Sequence, residues 1–124
     1  MPTNRKHIVL IEDDDSVRRS LSLLLRLRGF SVEAFKHGVD FLSRRPRPAA
    51  NYFLFDYKMP GMSGLSLLER LRQQGDTTPA MLITGFMSPG LDDRARRAGF
   101  SHLFEKPVSG RAIADHISGI EAAT

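Results

Sequence analysis

Residues 52–64 read YFLFDYKMPGMSG, and this stretch decides the fold. Tyr52–Phe55 is a run of four apolar residues, too short for a helix, and reads as a buried strand. Asp56 ends it. Pro60, Gly61 and Gly64 then punctuate a loop. Beyond them, Leu65 to Gln74 places Leu65, Leu68 and Leu71 on one face of a helix.

The same strand-then-helix unit recurs on both sides. His7–Ile11 (HIVLI) is a β-branched apolar run followed by four acids, Glu12, Asp13, Asp14 and Asp15. Ser16 to Arg28 has apolar residues near helical spacing. Asp15 or Ser16 can cap its start, and Gly29 sits where a helix C-cap belongs. Phe30–Phe35 alternates as a second strand. Val39, Phe41 and Leu42 give a short helix that stops at the proline-rich Arg44–Pro48 loop. Ala80–Ile83 is a fourth strand ending at Thr84. Leu91 to Ala98 is a helix with only Leu91, Ala95 and Ala98 to pack. His102–Phe104 is a fifth strand before Lys106 and Pro107, and Ala112 to Ile120 is a last helix. Five such units in series predict an α/β fold with a doubly wound parallel sheet, helices on both faces and right-handed crossovers. Residues 1–124 read as one domain.

Composition narrows the function. The chain has 124 residues, a net charge of +4 and no cysteine. A disulfide framework, a thiolate zinc site and a cysteine nucleophile are therefore excluded. No apolar run approaches the roughly 20 residues of a membrane span, and the polar start lacks a secretory signal, so a cytoplasmic protein is expected. A charge of +4 without a motif is poor support for direct nucleic-acid binding.

Ligands of open parallel sheets sit beyond the carboxyl ends of the strands. Here those ends carry Glu12 and Asp13, then Asp56, then Thr84, then Lys106. Three acids, a hydroxyl and an ammonium converge on one rim. A hard cation such as Mg²⁺ takes oxygen ligands and keeps several waters. Asp13, Asp56 and the backbone carbonyl of Lys58 can supply such ligands, with Glu12 holding a metal-bound water. Asp56 can then act as an oxygen nucleophile toward phosphorus, with Lys106 and Thr84 binding the remaining phosphoryl oxygens.

The segments IVLIEDDDSVR, FDYKMPGMSGLSLL, MLITG and EKP stand in the order found in response-regulator receiver domains, which the chain resembles over essentially its whole length. Within that family the likeness is to the receivers of FixJ-type regulators. The resemblance implies a flavodoxin-like (βα)5 fold, strand order 2-1-3-4-5, and a cis peptide before Pro107. It makes Asp56 the phosphoacceptor, Asp13 a metal ligand, Glu12 the second acidic position, Thr84 the conformational hydroxyl and Lys106 the conserved-type lysine. Mg²⁺-assisted self-phosphorylation and dephosphorylation are implied, rather than turnover of a substrate. The implied donor is a sensor histidine kinase or phosphotransfer protein. A homodimer through the face of the fourth helix, fifth strand and last helix is a further expectation, and membrane contact is not.

The main reading of output is a phosphorylation switch or relay acting through protein contacts. The alternative is the N-terminal module of a FixJ-like DNA-binding regulator. A phosphatase of the haloacid dehalogenase type needs its nucleophile in a D-x-D motif after the first strand, which is missing. A dinucleotide-binding domain needs glycines there, and carboxylates would repel a pyrophosphate.

Some positions depart from the family pattern or serve structure. Leu103 stands where an aromatic switch residue is usual, and Phe104 should face the other side of the strand, so a muted or differently built switch is expected. Phe86, two residues after Thr84, can shield an acyl phosphate or anchor its loop. Asp14 and Asp15 read as helix-terminal acids. The four histidines look scattered, and Arg44–Arg47 reads as a solvated loop. The charged fourth helix reads first as a solvated face, and second as a surface for an acidic partner or a dimer mate.

Overall fold

The structure is a computed structural model and describes residues 5–123. Its elements alternate throughout: β1 (His7–Ile11), α1 (Asp15–Leu27), β2 (Ser31–Phe35), α2 (Gly38–Ser43), β3 (Tyr52–Asp56), α3 (Gly64–Gln73), β4 (Ala80–Thr84), α4 (Leu91–Ala98), β5 (Phe100–Glu105) and α5 (Gly110–Ala122). All strand pairs are parallel, and the sheet order is β2-β1-β3-β4-β5. No helix among the described residues is long and apolar enough to cross a membrane.

Strand residues alternate between two cores, as the period of two demands. Ile8, Leu10, Leu54, Met81, Ile83 and Phe104 pack with Leu21 and Leu25 of α1 and Ile113 and Ile117 of α5. Val9, Ile11, Phe53, Phe55 and Leu82 pack with Phe41 of α2, Leu67, Leu68 and Leu71 of α3, and Leu91 and Ala95 of α4. The central strands β3 and β4 are buried along their whole length, which explains the unbroken YFLF and MLI runs.

Element ends differ from the sequence reading where a cap decides them. Asp14, not Asp15 or Ser16, caps α1: its Oδ1 accepts from the Val17 amide at 2.9 Å. Asp15 lies in the first turn, where a carboxylate meets the positive end of the helix dipole. Gly29 follows the Arg28 cap with φ +95°, the left-handed conformation expected of it. Ser63 starts α3 at Gly64 by accepting from the Ser66 amide. Ser109 starts α5 two residues earlier than apolar spacing suggests. β5 is longer than His102–Phe104, because pairing to β4 extends to Glu105.

Candidate functional site

The strand order reverses between β2-β1 and β1-β3, which opens a crevice above the ends of β1 and β3. Glu12 and Asp13 leave β1 there, and Asp56 ends β3 beside them. One carboxylate oxygen from each lies within 4.8 Å of the others. Glu12 is fully buried and Asp56 nearly so, while Asp13 is half-buried.

Lys106 reaches this cluster from the end of β5. Its Nζ lies 2.8 Å from Glu12 Oε1 and 3.3 Å from Asp56 Oδ2. The other Glu12 oxygen accepts from the Asp14 amide at 3.0 Å. Protein groups thus approach both Glu12 oxygens, but Oε1 makes no hydrogen bond and keeps acceptor capacity facing the cluster. One ammonium faces three carboxyl groups. Burial first, then the charge of Glu12 and a hydrogen bond with Asp13, push the Asp56 carboxyl up to about 8 against the pull of Lys106. Burial works against the Lys106 ammonium, but Glu12 and Asp56 outweigh it and hold lysine above its usual range.

Thr84 ends β4 next to Lys106, whose amide donates to the Thr84 carbonyl at 2.8 Å. Its buried hydroxyl donates to the Phe86 carbonyl at 3.1 Å and accepts from the Phe86 amide at 3.2 Å. The hydroxyl is therefore occupied with its own loop. Lys58 extends its side chain into solvent, as the sequence suggests. Nothing among the described residues donates to its carbonyl. The Lys106–Pro107 peptide is cis, as the resemblance implies.

Two contributors escape sequence reasoning. Arg18 of α1 donates to the Glu12 carbonyl at 2.9 Å and to Asp15 Oδ1 at 2.7 Å, so it braces the acidic turn. The Asp15–Arg18 helical spacing of three carries that signal. Gly64 is the second. A Cβ there would overlap the Asp56 carbonyl oxygen and lie 2.8 Å from Leu82 Cδ1, so only glycine lets α3 start this close to the end of β3.

Other expectations change. Phe86 is 72% exposed, so it does not anchor its loop. The histidines are not all scattered: the rings of His102 and His116 lie 4.8 Å apart, and His116 Nε2 is 3.0 Å from Ser101 Oγ. Burial, then the nearby His102, lowers the His116 pKa. The arginine loop is not simply solvated. Arg47 is half-buried over the Phe41 ring, and Arg44 pairs with Glu33. In α4, Arg97 pairs with Asp93 one turn away, so those two charges satisfy each other within the helix. Leu103 and Phe104 do face opposite cores, Leu103 toward α3 and α4.

Comparisons with known proteins fit this geometry. The family model described as response regulator receiver domain matches residues 8–118.

The chain belongs to the response regulator receiver family.

The receiver is 34% identical over 105 residues to the transcriptional regulatory protein FixJ of Bradyrhizobium diazoefficiens, covering 85% of this chain and 51% of that one. It is 35% identical over 100 residues to the response regulator protein TodT of Pseudomonas putida, covering 81% and 44%. The chain thus spans about half the length of these relatives. Among solved structures it is similar to FixJ-N, with a TM-score of 0.83, 28% identity and coverage of 94% and 93%. A CheY-like receiver domain protein from Methanospirillum hungatei JF-1 superposes with a TM-score of 0.84 at 27% identity, covering 94% and 93%.

Proposed function

We propose that this receiver works in the cytoplasm, accepts a phosphoryl group on Asp56 from a sensor histidine kinase or phosphotransfer protein, and acts as a phosphorylation switch or relay component through protein contacts. The observation that carries this reading is the juxtaposition of Glu12, Asp13 and Asp56 with a single ammonium, Lys106. Such an excess of buried negative charge is costly unless a cation or proton joins it.

The donor set fits a hard divalent cation. Asp13, Asp56 and the Lys58 carbonyl would hold Mg²⁺, and Glu12 would hold one of its waters. When bound, the ion offsets the carboxylate charge and draws electron density from the incoming phosphoryl group. An Asp56 carboxylate oxygen attacks phosphorus, the donor's P–N bond breaks, and the imidazole leaves with both electrons and takes up a proton. Lys106 exchanges part of its Asp56 interaction for a phosphoryl oxygen. Hydrolysis of the acyl phosphate by water resets the domain, so no separate substrate is turned over.

The Thr84 hydroxyl has one proton and spends it on the Phe86 carbonyl. Donation to a phosphoryl oxygen requires releasing that carbonyl, which removes one of the two bonds that hold Phe86 to Thr84 ahead of α4. Leu103, half-buried against α3 and α4, fills the place of a rotating aromatic ring, so the signal relies on this loop.

A docking surface for the donor lies beside the crevice. A hollow of about 420 Å³ lined by Val17, Leu21, Pro107 and Val108 adjoins Lys106. Leu23 and Leu27, one turn apart on α1, are 57% and 73% exposed. Strand β5 is at the sheet edge, which leaves the α4–β5–α5 face open to a second copy.

Labelling by a histidine kinase or acetyl phosphate with Mg²⁺ tests the acceptor. Wild type should take up one phosphoryl group and Asp56→Asn none; labelling that persists in the variant overturns the assignment. Phe86→Ala should shorten the acyl phosphate lifetime several-fold if the exposed ring, two residues after Thr84, screens the acyl phosphate from water. An unchanged decay rate removes Phe86 from that role.

A further inference from the structure

Beside the carboxylate cluster, and separate from it, a groove of about 920 Å³ runs between the start of α3 and α4. Tyr57, Met59 and Leu65 form an apolar floor, each half-buried against the core beneath. The rim carries Lys58, Arg94 and Arg97 against one acid, Glu69. Arg97 is already paired with Asp93. Among the described residues, neither Lys58 nor Arg94 pairs with a carboxylate. Arg94 is not loose: its guanidinium lies over the Tyr57 ring, 5.8 Å from the centroid. That contact fixes a cation at the groove wall while leaving its donors unspent.

We propose that this groove binds an acidic peptide segment bearing a bulky apolar side chain. The apolar side chain lies on Tyr57, Met59 and Leu65. Its flanking carboxylates meet Lys58 on one side and Arg94 on the other. A half-buried tyrosine in the floor and an arginine stacked on it are residue types enriched at protein interfaces. A nucleic-acid backbone fits less well, since it would present phosphates to Glu69 and leave the apolar floor uncovered. The preordered arginine reduces the entropy lost on binding.

A display library of random 12-residue peptides, selected on the full chain, tests the proposal without presuming a sequence. The expected winners carry net negative charge and at least one Leu, Phe or Trp. Arg94→Glu should weaken a synthetic winner at least tenfold, as should Lys58→Glu, and raised salt should weaken it in wild type. Amide shifts on titration should centre on Tyr57, Leu65 and Arg94. Circular dichroism and the retained labelling of Arg94→Glu by acetyl phosphate show that the variant is folded. A selection that yields no acidic peptides, or winners that bind Arg94→Glu as tightly as wild type, overturns the proposal.

Discussion

Asp56→Asn is expected to stabilise the metal-free protein by about 2–4 kcal/mol at neutral pH. The cause is the crowding of Asp56 with Glu12 and Asp13 under the single charge of Lys106. The sign follows from linkage. The Asp56 carboxyl is pushed up to about 8, whereas in the unfolded chain it returns to the ordinary value of 3.8. Between those values the folded state binds more protons than the unfolded one, so its stability falls as pH rises. The penalty is absent below the unfolded value, grows across the interval and is complete above about pH 8. The variant's advantage should therefore vanish near pH 3 to 4 and be greatest above pH 8, in chelator-treated buffer. For a domain of this size the gain corresponds to roughly 10 °C in Tm. Millimolar Mg²⁺ should narrow the gap by stabilising wild type alone, through binding to the folded state. Urea unfolding at several pH values decides the matter; a variant no more stable than wild type at pH 8 would show that relaxation around Lys106 already neutralises the cluster.

Gly64→Ala should cost about 3 kcal/mol, the upper end of what overpacking a core position costs. The added methyl has no free direction, since it meets the Asp56 carbonyl on one side and Leu82 on the other. Either α3 withdraws or Asp56 shifts, and the strain falls on the placement of Asp56 relative to Asp13 and Lys106. Labelling by acetyl phosphate should slow along with the loss of stability. Ser63→Ala is the matched control. It removes the α3 cap, whose hydroxyl accepts from the Ser66 amide at 3.1 Å, and should cost only about 1 kcal/mol with Asp56 left in place. If the two variants unfold at the same denaturant concentration, the close approach at Gly64 is not a constraint.

Both predictions concern residues whose importance is visible at different depths. Asp56, Asp13, Thr84 and Lys106 are legible in the order of residues. Each follows a short apolar run, and a parallel sheet delivers every such position to one rim. The alternation of five apolar runs with five amphipathic ones likewise determined the sheet, its layers and the cores on either face. Gly64 was legible as a loop glycine only. Its necessity comes from the distance between α3 and β3, which no local pattern records.

The partnerships at the site belong to the tertiary structure. Sequence placed Lys106 near Asp56, but packing puts its ammonium closer to Glu12. Sequence offered Thr84 as a phosphoryl ligand, but the loop fold turns its hydroxyl onto the Phe86 carbonyl. His102 and His116 are 14 positions apart with no shared motif, yet β5 and α5 stack their rings. Arg94 and Tyr57 belong to different helical units and meet only because α4 lies against α3. The sequence by itself thus determined the five βα units and which chemical groups reach the rim, because hydrophobic periodicity and strand-end position are local properties. Which of those groups touch was decided only when the elements packed, because a hydrogen bond or ion pair depends on ångström-scale distances between segments far apart in the chain.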